Sequence, residues 1–267
     1  LNYGIISTPT LFLLDRNGKI IGRKIKTETI KEILENNEKS RKQLVSYFEQ
    51  IFTTENTGEV KRVIDTLANA SKGDFYTELM SELFSFLRVS PIYANQLGAA
   101  YLGERYICSD TLNWNNKKYR DEVCRAVKLF NLNKLGEKAT DVKLYSVSGL
   151  PQNLLSESAK KKILFFYTPN CGICTEGIEE LKKLYKKRSK ELIISAIYIG
   201  NNEEEFKKFV VKNRLDWINL WDKDGAGNLR ERYDLEGTPK IYLLDSNNIV
   251  IAKDITIYDL IEILNNE

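Results

Sequence analysis

Apolar residues recur along this chain in two rhythms. Between residues 37 and 133 the segments "RKQLVSYFEQIF", "GEVKRVIDTLANA", "DFYTELMSELFSFLR", "PIYANQLGAAYLGERYI" and "NKKYRDEVCRAVKLF" space them three and four apart. That is the period of helices with one buried face. Gly58, Asp74 and Pro91 stand where helices would start. The pattern predicts an all-α domain over 37–133. On either side the rhythm changes to short apolar runs bounded by turn residues, the mark of strands.

Those flanking regions repeat one another. Residues 3–34, "YGIISTPTLFLLDRNGKIIGRKIKTETIKEIL", align without a gap with residues 233–264, "YDLEGTPKIYLLDSNNIVIAKDITIYDLIEIL", at a constant offset of 230. About a third of the positions are identical, and most of the rest exchange one apolar residue for another. Each copy reads as β-β-α. A buried strand (Leu11–Leu14 or Ile241–Leu244) follows a Thr-Pro, then come a polar turn, a second strand (Ile20–Ile25 or Ile249–Ile255) and a short amphipathic helix.

Ahead of the second copy, "KILFFYT" is a nearly continuous apolar run, as expected of a strand covered on both faces. A helix opening at two cysteines, a strand in "ELIISAIYI" and a helix in "NEEEFKKFVVKN" complete the order β-α-β-α-β-β-α from about Lys161 to Glu267. The first copy carries only the last three elements. Residues 1–36 therefore read as the C-terminal half of a second, similar domain, and residues 134–267 as the complete one. Half a sheet exposes strand edges, so self-association through residues 1–36, or their packing on the helical domain, is expected.

Composition narrows the chemistry. The 267 residues are 42% hydrophobic and carry 40 basic against 37 acidic side chains, a net charge of +3. Near-balance argues against nucleic acid or an anionic membrane as main partner, and the lysine run at 182–190 reads as a solvated helix face. No stretch approaches the roughly 20 apolar residues of a membrane span. The chain starts at a leucine inside what reads as a folded unit, so it is silent on targeting. It contains no histidine, which removes imidazole catalysis and histidine-containing zinc sites. Cys108 and Cys124 lack knuckle spacing for a four-cysteine zinc site. Cys124 falls on the apolar side of its helix pattern and reads as a buried thiol, a disulfide to Cys108 being the alternative. Tyr93, Tyr101, Tyr106 and Trp114 read as helical core rather than a ligand cage. No cofactor and no metal are expected.

What remains is "CGIC", Cys171 to Cys174, after an apolar strand and at the start of a helix. There the first sulfur meets unpaired backbone N–H groups and the positive end of the helix dipole, which favour thiolate. The second sulfur lies one turn on, within reach to resolve a mixed disulfide. The alternative is two packed thiols.

"FFYTPNCGIC", followed some 65 residues later by "YDLEGTPKIYLLD", resembles the thioredoxin fold, and the "GEKATDVKLYSVSGL" lead-in is similar to the extra strands of the TlpA/ResA-like branch. The preceding helical segment is similar to a domain of unknown function found ahead of such domains in Bacteroides-type bacteria. The resemblance implies a thiol–disulfide oxidoreductase with Cys171 as nucleophile, Cys174 as resolving thiol, and a cis Thr238-Pro239 that offers backbone groups to an extended substrate. Pro9 would share that geometry in the first copy. The resemblance further implies protein thiols and disulfides as substrates, a redox partner protein, and a periplasmic or membrane-anchored location. Three positions depart from the family. Asn170 replaces the common tryptophan and alters the surface that meets substrate. Phe165 stands where thioredoxins bury an aspartate, and Gly177 where the TlpA-like branch places a glutamate. A peroxiredoxin-type peroxidase is a second reading, on Thr168, although Leu164 stands where that family has proline. A third is a scaffold with a weakened redox module.

Overall fold

The computed structural model describes residues 11–14, 20–25, 37–71, 74–109, 114 and 116–266. It divides into two compact units, Leu1–Lys128 and Leu129–Glu267.

In the first unit, β1 (Leu11–Leu14) pairs antiparallel with β2 (Ile20–Ile25). The helix expected near residues 30–34 and Pro9 lie outside the described residues. The helical part comprises α1 (Asn37–Ile51), α2 (Thr57–Ala70), α3 (Asp74–Arg88), α4 (Tyr93–Leu102) and α5 (Lys117–Phe130), whose last turn crosses into the second unit. The apolar faces legible in the sequence are the buried ones: Phe48, Val60, Ile64, Leu79, Leu83, Leu87 and Leu102 are all at most 2% exposed. Asn56 caps α2, its side-chain oxygen accepting from the Glu59 N–H.

Close approach between helices is bought with glycine. A Cβ on Gly98 would sit 2.5 Å from Val60 Cγ1, and one on Gly103 would sit 2.4 Å from Val127 Cγ2. Gly103 also opens a π-helical turn, Gly103–Ile107, closed by the Cys108 N–H donating to the Gly103 carbonyl at 2.7 Å. Such i→i+5 closure brings side chains five apart towards one face. Tyr101 and Tyr106 are spaced so, and both hydroxyls donate to Asp65 Oδ1, at 2.8 and 2.6 Å. Burial, with the Asp65 bond adding to it, pushes Tyr101 up to about 12. The aromatic residues thus separate: Trp114 is buried, while Tyr101 and Tyr106 serve a half-exposed polar junction.

Cys124 is not a free buried thiol. It forms a disulfide with Cys108, with Cα atoms 5.6 Å apart, a separation within the range such bonds require. The bond ties the end of the π-helical turn to α5.

The second unit is one seven-stranded sheet in the order β4-β3-β7-β6-β5-β8-β9. Its strands are β3 (Lys143–Ser146), β4 (Pro151–Asn153), β5 (Lys161–Tyr167), β6 (Leu192–Tyr198), β7 (Ile218–Trp221), β8 (Lys240–Asp245) and β9 (Val250–Lys253). Strands β5, β6 and β7 run parallel, and β8 is antiparallel to β5. The helices α6 (Gly172–Arg188), α7 (Glu203–Asn213) and α9 (Ile257–Asn265) pack on one face against Ile163, Phe165 and Tyr167; α8 (Leu229–Arg232) lies on the other, with Leu164 and Phe166. Two right-handed crossovers advancing in the same direction put α6 and α7 on the same side. Both faces of β5 are covered, as its continuous apolar run requires.

Strand β7 was not legible in the sequence. It is only four residues long and includes Asn219, which is buried because its amide donates to the Leu215 and Trp217 carbonyls at 3.0 and 2.6 Å. Residues Leu129–Asn133 belong to this unit because Lys253 Nζ donates to the Phe130 and Leu132 carbonyls, and Asn133 bridges the Arg232 carbonyl and the Thr140 N–H. Burial lowers the Lys253 ammonium below the ordinary lysine range.

The two sequence repeats share a register. Phe12 pairs with Arg23, Leu13 with Gly22 and Leu14 with Ile20; Tyr242 pairs with Lys253, Leu243 with Ala252 and Leu244 with Val250. Each pair maps onto its counterpart at the offset of 230, including the irregularity before the last pair.

Two outcomes test these contacts. Gly98→Ala gains about 1 kcal/mol of helix propensity, but its methyl meets a β-branched Val60 that has little rotamer freedom. Overpacking of this kind costs about 1–3 kcal/mol, so a lower denaturant midpoint is expected. Replacing Cys108 and Cys124 by serine opens a 16-residue loop, which corresponds to about 3 kcal/mol lost, read in the same titration. Wild-type midpoints in both variants would contradict these assignments.

Candidate functional site

The site begins where β5 ends. After Tyr167 the chain passes through Thr168-Pro169-Asn170 and enters α6 with Cys171 as its N-cap. Cys171 Sγ accepts from the Cys174 backbone N–H at 3.0 Å, the bond an N-cap side chain makes. The two cysteines form a disulfide with Cα atoms 5.1 Å apart. They differ in access: Cys174 is 0% exposed, inside the core cluster on the α6 face, whereas Cys171 is half-buried at its edge.

The opposite wall comes from the β5–β8 register. Phe166 pairs with Lys240, and carrying the antiparallel register two residues on sets Thr168 against Thr238. Their hydroxyl oxygens are 3.3 Å apart. Thr238-Pro239 is a cis peptide preceded by Gly237 at φ 81°, a conformation that favours glycine. The turn holds the Thr238 carbonyl oxygen 3.5 Å from Cys171 Sγ. Of the residues singled out from sequence, Cys171, Cys174, Thr238 and Pro239 converge; Asn170 is exposed in the loop that leads into them.

The two positions that depart from the family's acids touch each other. A Cβ on Gly177 would lie 3.3 Å from Cε2 and Cζ of the Phe165 ring. The missing side chain in α6 makes room for the phenyl group from β5. The floor below Cys174 is accordingly apolar, shared with Phe165, Ile178 and Leu181.

Several residues at the site were not singled out from sequence. Lys240, directly after Pro239, bonds Asp254 at 2.8 Å and Asp234 at 3.0 Å. Burial alone would lower its ammonium, but the bonds and charges of Asp254 and Asp234 outweigh that and hold it above the ordinary lysine value. Tyr258 donates its hydroxyl to Glu176 Oε1, which raises the phenol. Between these groups lies a cavity of about 330 Å³, bounded by Ile173 and Pro239 on the cysteine side. The signal in the sequence was weak, because its walls come from three separate segments.

A family model described as Redoxin matches residues 134–257. The thioredoxin-like protein YneN of Bacillus subtilis (strain 168) is 25% identical over 118 residues, spanning 43% of this chain and 68% of that protein. A crystal structure of a thioredoxin-like protein from Bacteroides caccae ATCC 43185 superposes with a TM-score of 0.72 at 23% identity, covering 91% of this chain and 88% of that one. A domain of a possible thiol-disulfide isomerase from Cytophaga hutchinsonii ATCC 33406 is 30% identical over 51% of this chain and 94% of that one, with a TM-score of 0.47. Residues 134–257 thus match the Redoxin family model, and the chain has a thioredoxin-like fold.

Proposed function

We propose that the chain is a thiol–disulfide oxidoreductase acting on protein disulfides through Cys171 and Cys174. The observation that carries this reading is the asymmetric pair: an accessible sulfur at a helix N-terminus, bonded to a buried one, beside the Thr238 carbonyl. The match of residues 134–257 to the Redoxin family model supports it.

In the reduced protein the Cys171 thiolate is stabilised by the Cys174 N–H and the helix dipole. It attacks one sulfur of a substrate disulfide; a Cys171–substrate bond forms and the other substrate sulfur leaves as thiolate. Thr238, directly before Pro239, aligns the substrate backbone. Cys174 then loses its proton to solvent or to the leaving thiolate and attacks Cys171 Sγ, which releases the second substrate thiol. Two electrons pass to the substrate, which ends as two thiols, and the protein ends as the Cys171–Cys174 disulfide. A dithiol partner protein restores it by the reverse chemistry.

The Cys108–Cys124 disulfide supports an extracytoplasmic location, since such bonds persist in oxidising compartments. The shared register of β1–β2 and β8–β9 supports the reading of residues 1–36 as part of a second thioredoxin-like unit.

The apolar Phe165–Gly177 contact favours one further reading, a docking module with slow turnover, because no carboxylate side chain lies at either position to take the Cys174 proton. Substitution separates the two. Cys171→Ser should lower insulin-disulfide reduction by about 100-fold or more, because the nucleophile is lost, while Cys174→Ser should accumulate a covalent substrate adduct at Cys171 by mass spectrometry. Reduction that persists in Cys171→Ser, or no adduct with Cys174→Ser, would favour the docking reading.

A further inference from the structure

The cavity beside Pro239 has two chemically distinct parts. Part of its lining is aliphatic: Ile173, which lies between the two cysteines in sequence, together with Ile255 and Ile257. Ile173 is 66% exposed, so this is apolar surface offered to solvent at the redox site and not core. Its rim is acidic. Glu176 is partnered by the neutral hydroxyl of Tyr258, and Asp254 shares the single ammonium of Lys240 with Asp234. Two carboxylates of the lining, Glu176 and Asp254, thus stand beside one ammonium that Asp234, outside the cavity, also engages, in a chain whose net charge is +3. A side chain that suits both parts has a long aliphatic stem and a cationic head.

We propose that this cavity is a subsite for a lysine or arginine adjacent to the substrate cysteine, so that the protein selects polypeptide disulfides with basic flanks. The inference rests on the redox reading above. With the Thr238 carbonyl 3.5 Å from Cys171 Sγ, an extended substrate that lays its cysteine on Cys171 moves its neighbouring residue by about 3.3–3.6 Å, toward Pro239 and Ile173. The stem packs on Ile173, Ile255 and Pro239, and the head meets Glu176 and Asp254. Ion pairs at this exposure are individually weak, so the subsite ranks substrates and does not exclude them.

The test uses short symmetric peptide disulfides differing only in the residue next to cysteine: arginine, its neutral isostere citrulline, and glutamate. Stopped-flow rate constants with the reduced full chain are divided by those with dithiothreitol, which removes the intrinsic effect of charge on disulfide reactivity. The neutral 2-hydroxyethyl disulfide reports the redox chemistry itself. The arginine peptide should outpace citrulline by about fivefold at low ionic strength, for two contacts near the middle of the range for exposed pairs, with glutamate slowest. The advantage should shrink in high salt and fall close to one in the Glu176→Gln/Asp254→Asn variant. Asparagine is chosen because position 254 has φ 54°, which asparagine adopts readily. Equal normalised rates for arginine and citrulline in the wild-type chain would overturn the subsite while leaving the redox reading intact. Failure to react with 2-hydroxyethyl disulfide would overturn both.

Discussion

The antiparallel pairing of β5 with β8 is the constraint on which the rest of the site depends. It runs from Lys161–Asp245 to Phe166–Lys240, and both strands are buried. A slip of one residue would turn every side chain of β8 to the other face, moving Tyr242 and Leu244 out of one core layer and Ile241 and Leu243 out of the other. Packing on both faces therefore forbids the slip. Because it does, the ends of the two strands arrive in fixed register, and Thr168 meets Thr238. The cysteine helix leaves one strand end and the cis Thr238-Pro239 turn enters the other.

From that register follows the difference in access between the sulfurs. The N-cap position exposes Cys171 and sets its sulfur against a backbone donor, and one turn of α6 carries Cys174 into the core. The core beneath is hydrocarbon, since the Phe165 ring fills the space that Gly177 leaves. The polar groups gather instead to one side, where Lys240, Asp234 and Asp254 form a network and Glu176 holds Tyr258. The site joins a dry inner sulfur to a charged approach.

The sequence made most of this framework readable, because β5 and the β-β-α repeat are dictated by local pattern. A continuous apolar run has few alternatives when it is bounded by turns, and a repeated hairpin is its own control. Cys171 and Cys174 could be named from their spacing at a helix start, whereas Thr238 and Pro239 were named through the resemblance to the thioredoxin fold. What was hidden depends on contacts distant in sequence. Strand β7 is four residues with a buried asparagine, whose burial makes sense only once the Leu215 and Trp217 carbonyls are in place. The Cys108–Cys124 bond needs the π-helical turn to bring Cys108 to α5. The Lys240 and Glu176 networks draw on loops that the sheet assembles and no local spacing announces.

The central claim is that Cys171 and Cys174 form a working, reversible redox pair, and its most direct test is their reduction potential. The chain would be equilibrated in dithiothreitol and glutathione buffers of stepped poise, its thiols trapped, and the peptides carrying Cys171 and Cys174 quantified by mass spectrometry apart from those of Cys108 and Cys124. The account predicts one reversible two-electron transition, between roughly −270 and −120 mV, the range spanned by thiol oxidoreductases. A pair that stays fully reduced at every poise, or one that stays oxidised in excess dithiothreitol, would contradict it.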